Sequence, residues 1–554
     1  MIVTDILQIL GIALFLSAWW LTVLPGRRRA LGFAAAWVIA TGVAGAFDER
    51  WQAVVGALSG AAFALAVLLE ARLARRAPRR VPWRSGTLLA ALGLASVAAL
   101  YLFPVLPLPT PSGPFAVGMR TFELVDETRR GVLYAGKDEP RRLLVRVWYP
   151  AQPAPDAREA PYFSDVEART TAHGMGERLG FPPLLSYLKH VRTHAYADAP
   201  LAPQDGKLPS VFFSHGYTSF LSQNSVLMET LASHGYAVYA VQHTYDASPS
   251  VFPNGDVLPM DPALIDLMRN GPEARGEFPP ALIEGYTSAS FDKRLDGQLR
   301  NAAATLARGD RIVAQSASIW LADRLFVHDR LERGAVPAAA AEVVAASDFA
   351  RTGEMGMSFG GSVTGALCLI DKRCAAGVNL DGGDFHYLPF DADMPVPFLM
   401  FHSDSDYFYR FFKVKTDGHE RSYNDFSYER FDHAGQRQDL YRLQLKGAAH
   451  NGLSDLSWFM RRPLRDALLG TAPTEILLGA QNDFVLAFFD KHLRRLKNDF
   501  PQAQYARYAG WAWPYDNTPV RQWWLAKPEA ERAALQKRIA ELKAVAYSKI
   551  FSGL

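Results

Sequence analysis

The pentapeptide Gly356-Met357-Ser358-Phe359-Gly360 places one glycine two residues before a serine and another two residues after it. This G-x-S-x-G spacing is typical of a sharp turn between a strand and a helix that lifts a nucleophilic serine above a sheet. Glycine is needed at both positions because Cβ atoms there would collide with the neighbouring strand and helix. The pentapeptide therefore predicts Ser358 as a nucleophile, provided that its surroundings supply a base and an acid.

Two later strand ends supply these partners. A histidine must take the proton of the serine, and a carboxylate must orient that histidine. In the α/β-hydrolase fold the three residues follow in the chain order serine, acid, histidine. Asp381 ends the run Asn379-Leu380 and is followed by two glycines, and His450 ends the stretch Gly447-Ala448-Ala449. The order predicts Ser358 as the nucleophile, Asp381 as the acid and His450 as the base.

The acid and the base have alternatives. Asp404 and Asp406 end the following strand, a common position for the acid in this fold, and Asp384 lies close to Asp381. We favour Asp381 because the glycines after it allow a tight turn back toward His450. Other histidines also stand near predicted strand ends: His215, His243, His386 and His402. We favour His450 because its strand follows both acid positions and a loop of small residues surrounds it.

The stretch Ser214-His215-Gly216-Tyr217 predicts the second half of an oxyanion hole. In this fold one backbone N–H comes from the residue after the nucleophile, here Phe359, and the other from the loop after an earlier strand. The turn at the end of the predicted strand 209–214 places the amide of Tyr217 where that second donor is needed. Each such donor contributes about 2.7–4 kcal/mol to stabilisation of the transition state.

Composition narrows the functional classes. The chain has 554 residues, enough for two or three domains, and a net charge of only +3, so no nucleic-acid partner is expected. Its two cysteines, Cys368 and Cys374, lack metal-ligand spacing, and the sequence leaves open whether they form a disulfide. The histidines show no paired ligand spacing either. We therefore expect neither a metal nor another cofactor.

Four apolar segments open the chain, at residues 6–24, 30–47, 51–69 and 87–106. Each approaches the ~20 residues that a helix needs to cross the core of a bilayer. They show little of the polar stripe expected of helices in a soluble bundle. The amino terminus has no basic residue of the kind that starts a signal peptide. Residues 1–108 are therefore predicted to form a transmembrane domain of four helices.

The arginines predict how these helices are oriented. The first connector holds Arg27, Arg28 and Arg29, and the third holds Arg72, Arg75, Arg76, Arg79, Arg80 and Arg84. The second connector, Asp48-Glu49-Arg50, holds one arginine. Because positively charged connectors stay cytoplasmic, the second connector and everything after the fourth helix are predicted to face outward. We expect an integral protein of the cell (inner) membrane whose catalytic domain is periplasmic or extracellular.

Residues 109–500 are predicted to form that catalytic domain. Strands alternate with helices here, which is typical of a mostly parallel sheet with helices on both faces. The stretch at about 245–340 is too long for a simple connection, so we interpret it as a helical insertion that acts partly as a lid. Residues 501–554 form a carboxyl-terminal tail to which the sequence assigns no role.

Several stretches match one family in the same order along the chain. They are the serine pentapeptide, Phe213-Ser214-His215-Gly216, Asn379-Leu380-Asp381-Gly382, Gly447-Ala448-Ala449-His450, Leu231-Ala232-Ser233-His234-Gly235-Tyr236, Arg146-Val147-Trp148-Tyr149-Pro150 and Pro111-Ser112-Gly113-Pro114-Phe115-Ala116-Val117-Gly118. Together they resemble the platelet-activating factor acetylhydrolase family, in its plasma and intracellular type II forms and their bacterial relatives. The resemblance runs from about residue 111 to about residue 493.

This resemblance implies an α/β-hydrolase with Ser358 as nucleophile, Asp381 as acid and His450 as base. It also implies that the amides of Tyr217 and Phe359 donate to the oxyanion. The implied activity is a calcium-independent esterase that degrades phospholipids with short or oxidised acyl chains at the middle glycerol position. The chain departs from the family at Met357, where histidine is usual, in its long insertion and in its membrane domain.

Three functions remain to be compared. The first is a membrane-anchored serine esterase that resembles 1-alkyl-2-acetylglycerophosphocholine esterases and hydrolyses lipid esters through an acyl-enzyme. The second is a general carboxylesterase or dienelactone-hydrolase-like enzyme for small or polymeric esters. The third, a catalytically inactive membrane-bound binding protein, is disfavoured because all three catalytic residue types are present. The expected partners are the membrane and a lipid or small ester, and the sequence leaves the oligomeric state open.

Overall fold

The computed structural model describes residues 3–21, 23–74, 83–133, 138–180, 183–383 and 387–550. Six residues invoked above lie outside these ranges: Arg75, Arg76, Arg79, Arg80, Asp384 and His386. The arginine asymmetry of the third connector and two of the alternatives for the triad therefore stay predictions.

Four helices open the chain, as the hydropathy predicts: α1 (Val3–Trp20), α2 (Arg27–Phe47), α3 (Trp51–Ala74) and α4 (Trp83–Leu102). By length and composition each could cross a membrane. Small residues let their backbones approach closely, since a Cβ added to Gly42 would lie 2.5 Å from the backbone nitrogen of Ala57. Ser59 and Ser96 join α3 to α4 through a hydrogen bond of 2.7 Å. Such contacts are typical of helices that associate inside a bilayer.

The rest of the chain is organised around a large sheet. The strands are β1 (Ala116–Arg130), β2 (Pro140–Ala151), β3 (Glu159–Pro161), β4 (Arg192–Ala197), β5 (Leu208–Ser214), β6 (Ala237–Gln242), β7 (Ser250–Val251), β8 (Val257–Leu258), β9 (Ser347–Met357), β10 (Cys374–Leu380), β11 (Phe398–His402), β12 (Leu440–Leu445) and β13 (Ala512–Pro514). Their order in the sheet is β13-β12-β11-β10-β9-β5-β6-β2-β1-β4-β3, and β7 pairs with β8 apart from it. From β12 to β6 all neighbours run parallel, whereas the pairs β12–β13, β6–β2 and β2–β1 are antiparallel.

Helices follow most of these strands. They are α5 (Asp165–Leu179), α6 (Ser225–Ser233), α7 (Pro262–Asn270), α8 (Pro280–Thr287), α9 (Phe291–Arg308), α10 (Ala317–Glu332), α11 (Ala338–Ala346), α12 (Phe359–Ile370), α13 (Ser405–Phe411), α14 (Leu456–Phe459), α15 (Leu464–Leu469), α16 (Thr474–His492), α17 (Gln502–Arg507), α18 (Thr518–Leu525) and α19 (Glu529–Ile550). Because side chains alternate along a strand, Val211 and Phe213 of β5 are buried with α6 and α16, whereas Phe212 is buried with α10 and α11. A mostly parallel sheet covered on both faces confirms the predicted α/β-hydrolase fold.

The segment interpreted as an insertion and the tail both pack on the catalytic domain. The former holds the β7–β8 hairpin and helices α7 to α10, and Val327 and Leu331 of α10 cover the sheet beside Phe212. The tail contributes β13 to one edge of the sheet. Ile539 and Ala546 of its last helix are buried with residues of α9, α10 and α12. The tail thus completes a buried cluster beside the helix that begins at the pentapeptide.

Cys368 and Cys374 form a disulfide, which settles the question that the sequence left open. Cys368 lies in α12 and Cys374 opens β10, and both are buried. The bond therefore links the helix that follows Ser358 to the strand that leads to Asp381.

The catalytic domain contacts the connector between α2 and α3 and also the end of α4. Glu49 pairs with Lys189 at 2.9 Å and with Arg169 at 3.1 Å. The N–H of Arg461 donates to the carbonyl of Leu102 at 2.9 Å. The second connector and the end of α4 therefore lie on the same side of the helical domain as the catalytic domain.

Candidate active site

Ser358 lies at the turn between β9 and α12, with φ 56° and ψ −122°. Residues with side chains rarely adopt such a conformation, which stores about 1–3 kcal/mol of strain. A Cβ on Gly356 would lie 2.2 Å from the carbonyl carbon of Gly360, and one on Gly360 would lie 2.1 Å from the carbonyl oxygen of Ser214. The G-x-S-x-G spacing therefore follows from the close packing of strand, turn and helix.

His450 and Asp381 lie within hydrogen-bond distance of this turn. The Oγ atom of Ser358 is 2.8 Å from Nε2 of His450, and Nδ1 of His450 is 2.6 Å from Oδ2 of Asp381. The carboxylate fixes the tautomer by accepting from Nδ1–H, which leaves Nε2 free to accept the proton of the serine. The side chain of His450 is 39% exposed, whereas that of Asp381 is fully buried. Solvent can therefore reach His450, whereas Asp381 stays shielded from water.

Asp381 is held in place from two further directions. Its Oδ1 accepts hydrogen bonds from the N–H of Ser403 at 2.7 Å and from the hydroxyl of Tyr423 at 2.8 Å. Burial alone would raise the pKa of this carboxyl, but the hydrogen bonds from His450, Ser403 and Tyr423 outweigh burial and lower the pKa. A Cβ on Gly382 would lie 2.3 Å from the carbonyl oxygen of Ser358, so the glycine is needed for the close turn. The lowered pKa keeps Asp381 ionised, and its Oδ2 accepts from His450.

The alternatives for the acid and base have other partners. Asp404 caps α13 by accepting from the N–H of Asp406 at 3.0 Å, and it also accepts from the N–H of Gly447 at 2.7 Å. It thus holds the turn that leads to His450. Asp406 is exposed. His402 is buried, and burial lowers its pKa to about 4.

The turn after β5 lies against the serine. A Cβ on Gly216 would lie 3.3 Å from the Cβ of Ser358, and the N–H of Gly216 donates to Oε1 of Gln223 at 2.7 Å. The ring of Tyr217 packs edge-on against that of Phe359, with 5.4 Å between the ring centroids. The two residues predicted to form the oxyanion hole are therefore neighbours: Phe359 follows Ser358 directly, and Tyr217 follows Gly216, which lies against Ser358.

Comparisons with known proteins show which proteins the chain is similar to. Residues 103–253 match the family model for "Platelet-activating factor acetylhydrolase, isoform II". Over 306 residues the chain is 24% identical to a probable 1-alkyl-2-acetylglycerophosphocholine esterase of Arthroderma benhamiae, which covers 54% of this chain and 64% of that relative. Over 399 residues it is 24% identical to a platelet-activating factor acetylhydrolase of Cavia porcellus, and the aligned region covers 71% of this chain and 79% of that relative. The chain is therefore similar to members of the platelet-activating factor acetylhydrolase family.

These similarities cover parts of the proteins rather than the whole. The match spans less than two thirds of the length of the fungal relative. The family model covers the turn after β5, whereas Ser358, Asp381 and His450 lie beyond its last matched residue. Among solved structures, a ferulic acid esterase from Streptomyces cinnamoneus is 24% identical with a TM-score of 0.49, and it covers 74% of this chain and 100% of that chain.

A second serine–histidine–aspartate chain lies behind the turn after β5, and the sequence analysis did not predict it. The hydroxyl of Ser214 lies 3.0 Å from Nε2 of His243, and Nδ1 of His243 lies 2.9 Å from Oδ2 of Asp323. The guanidinium of Arg141 donates to the same carboxylate at 2.6 Å. His243, considered from sequence as an alternative base, is therefore engaged in the interior.

Other supporting residues also escaped sequence reasoning. Tyr423 lies in an irregular segment after α13, and Gln223 lies just before α6, so neither belongs to a recognisable motif. Only the folded chain brings them to Asp381 and Gly216. In the part of the chain that the structure describes, no group of three or more histidine, cysteine, aspartate or glutamate side chains could hold a metal ion.

Proposed function

We propose that this protein is a serine esterase with Ser358 as nucleophile, His450 as base and Asp381 as acid. The observation that carries the proposal is the continuous hydrogen-bond chain Ser358–His450–Asp381, with distances of 2.8 and 2.6 Å. The acetylhydrolase and esterase names of the relatives support hydrolysis of a carboxylic ester. The intact hydrogen-bond chain speaks against an inactive binding protein.

The proposed reaction has two halves. Nε2 of His450 takes the proton as Oγ of Ser358 attacks the ester carbonyl, and Asp381 stabilises the imidazolium. The amides of Tyr217 and Phe359 stabilise the oxyanion, and collapse of the intermediate releases the alcohol, which takes the proton from His450. Water, activated by the same histidine, then hydrolyses the acyl-enzyme and releases the acid.

The proposed substrate is a phospholipid with a short or oxidised acyl chain. Aromatic rings cluster beside Asp381: the ring centroid of Tyr423 lies 5.1 Å from that of Phe408 and 5.4 Å from that of Tyr286, and the centroids of Tyr286 and Phe412 are 5.2 Å apart. Such apolar surroundings suit an apolar acyl chain better than a charged one. The relatives' names point to the same class of lipid.

We also propose that α1 to α4 span the cell (inner) membrane and that the catalytic domain is periplasmic or extracellular. The length and apolar composition of the helices support insertion, and the arginine pattern of the connectors supports the orientation. A reporter fused to the carboxyl terminus is expected to be active only outside the cytoplasm. A cytoplasmic signal would reverse the proposed orientation.

Hydrolysis by detergent-solubilised protein tests the substrate proposal. A short-chain phosphatidylcholine and para-nitrophenyl butyrate are compared, with Ser358→Ala as the blank. Serine-dependent cleavage of the phospholipid supports the acetylhydrolase-like function. Cleavage of the soluble ester alone keeps the triad but moves the function to a general carboxylesterase or dienelactone-hydrolase-like enzyme.

A further inference from the structure

A cavity of about 160 Å³ lies where the catalytic domain meets the end of α4. Tyr101, in the last turn of α4, lines it together with Trp458 of α14. The indole N–H of Trp458 donates to the carbonyl of Pro107 at 2.9 Å, so the cavity wall is tied to the segment that leaves α4. Tyrosine and tryptophan concentrate at the headgroup level of membrane proteins. With α4 inserted as proposed, the cavity opens at the level of the lipid headgroups.

The charged side chains of this cavity fall into two groups. Arg462 and Arg465 both pair with Asp466, at 3.0 and 2.7 Å. Arg461 and Glu475 also line the cavity, and within the described ranges neither side chain has a hydrogen-bond or ion-pair partner. They do not neutralise each other, because no ion pair within 4.0 Å joins them. The cavity thus offers one free positive and one free negative charge.

We propose that this cavity binds the headgroup of a zwitterionic, amine-bearing phospholipid. Arg461 would hold the phosphate, because a guanidinium matches phosphate oxygens in charge and geometry. Glu475 would hold the ammonium group, beside the rings of Tyr101 and Trp458, which attract a cation. A free phosphate ion or an anionic lipid without an amine leaves Glu475 unpaired next to negative charge. The inference rests on the proposed insertion of α4 and not on ester hydrolysis.

Thermal melts of delipidated, detergent-solubilised protein test this binding. All proteins carry Ser358→Ala, so that the added lipid is not consumed and the result is independent of the esterase proposal. The additions are phosphatidylethanolamine, phosphatidylglycerol and inorganic phosphate. We expect phosphatidylethanolamine to raise Tm by about 3 °C or more, since a ligand that binds only the folded state stabilises it. The other two additions are expected to raise Tm by less than half as much.

Two variants and a control locate the site. Arg461→Gln and Glu475→Gln are each expected to keep the lipid-free Tm, since neither side chain has a partner to lose, and to abolish most of the lipid-induced shift. Arg308→Gln, at an exposed arginine on α9, removes the same charge elsewhere and should keep the full shift. A full shift in both cavity variants would overturn the site. An equal shift with phosphatidylglycerol would contradict the role of the amine. An equal shift with inorganic phosphate would contradict the proposal that the ligand is a lipid.

Discussion

Two serine–histidine–aspartate chains stand side by side in this protein, Ser358–His450–Asp381 and Ser214–His243–Asp323. Their hydrogen bonds are alike, at 2.8 and 2.6 Å in the first and 3.0 and 2.9 Å in the second. The surroundings of the two chains differ. The side chain of His450 is 39% exposed, whereas those of His243 and Asp323 are completely buried. Solvent therefore reaches the histidine of the first chain but not that of the second.

The serines differ as well. Ser358 stands on a strained turn that separates its hydroxyl from the sheet, but Ser214 ends the buried strand β5. The guanidinium of Arg324 donates to Oγ of Ser214 at 2.8 Å, so a lone pair that an attack would need is already engaged. Burial would raise the pKa of Asp323, but Arg141 and Arg129 outweigh burial and lower the pKa strongly. Comparable hydrogen bonds therefore lie at an accessible turn in one place, where we propose the reaction, and hold the interior together in the other.

Replacing each serine by alanine is the strongest test of this difference. Ser358→Ala is expected to lower kcat by at least about 10⁴-fold with little change in Tm, because it removes the nucleophile from an accessible site. Ser214→Ala is expected to keep activity within about threefold and to lose about 1–3 kcal/mol of stability, because Arg324 and His243 lose a buried partner. Ester hydrolysis and thermal melts measure both effects. Labelling of Ser358→Ala by a fluorophosphonate probe would mean that another serine is the nucleophile.

Exchanging each acid for its amide gives the next largest effect. Asp381→Asn is expected to lower kcat by about 10³–10⁴-fold, because the amide cannot stabilise the imidazolium or fix its tautomer. Asp323→Asn leaves the buried charges of Arg141 and Arg129 without a full counterion and is expected to cost about 3–5 kcal/mol of folding stability. Steady-state kinetics measure the loss of kcat, and denaturant unfolding measures the loss of folding stability.

Asp404→Asn is the matched control for the acid. Asp404 keeps the amide of Gly447 in place without touching His450, so its loss should reduce kcat far less than Asp381→Asn does. The opposite ranking would move the acid to the strand that precedes α13.

The sequence predicted Ser358, Asp381 and His450 through features that are local. Glycine spacing and strand ends express constraints within a few residues, and chain order can be read directly from the sequence, so all three are visible without knowledge of the fold. The strands of the parallel sheet were predictable for the same reason, since apolar runs mark them.

The buried chain could not be predicted in this way. Asp323 comes from α10, a helix that the sequence assigned to an insertion above the sheet, and only its packing on β5 and β6 brings the carboxylate to His243. At the sequence level His243 and His450 both follow strands. Which of them is exposed depends on long-range packing, to which no local pattern refers.

His243 is expected to contribute to the acid sensitivity of the fold. Burial lowers the pKa of His243 to about 4, against an unfolded value of 6.5. Between pH 6.5 and 4 the histidine takes up a proton in the unfolded chain but stays neutral in the folded one. The fold therefore has its full stability above pH 6.5 and loses stability as the pH falls toward 4. We expect Tm to fall as the pH is lowered over this range, and we expect this fall to be less steep in His243→Gln.

A matched variant controls for the loss of one titrating ring. His419 is exposed on the segment after α13, so His419→Gln removes an imidazole without touching the interior. An unchanged slope in His243→Gln, measured by melts between pH 7 and 4.5, would contradict the assignment of acid sensitivity to His243.

The smallest expected effect concerns Trp320, the residue that connects the two chains. Its indole stacks on His243 with 3.8 Å between ring centroids, and it meets the ring of Phe359 edge-on at 4.9 Å. Its N–H donates to the carboxylate of Asp246 at 3.0 Å, and the carbonyl of Asp246 accepts from the N–H of Thr218, directly after Tyr217. Trp320 therefore links His243 to the surroundings of the proposed oxyanion donors.

Trp320→Phe keeps a stacked ring and removes the indole N–H. If the buried chain positions the oxyanion hole, kcat should fall by about 3–10-fold, since one hydrogen bond is worth about 1 kcal/mol, and KM should change little. Trp524→Phe, at a buried indole of the tail, should lower Tm without lowering kcat. An unchanged kcat in Trp320→Phe would confine the Ser214–His243–Asp323 chain to stability. A fall in kcat without a fall in Tm would instead show that the Ser214–His243–Asp323 chain positions the oxyanion hole, because Trp320→Phe leaves Ser358, His450 and Asp381 unchanged.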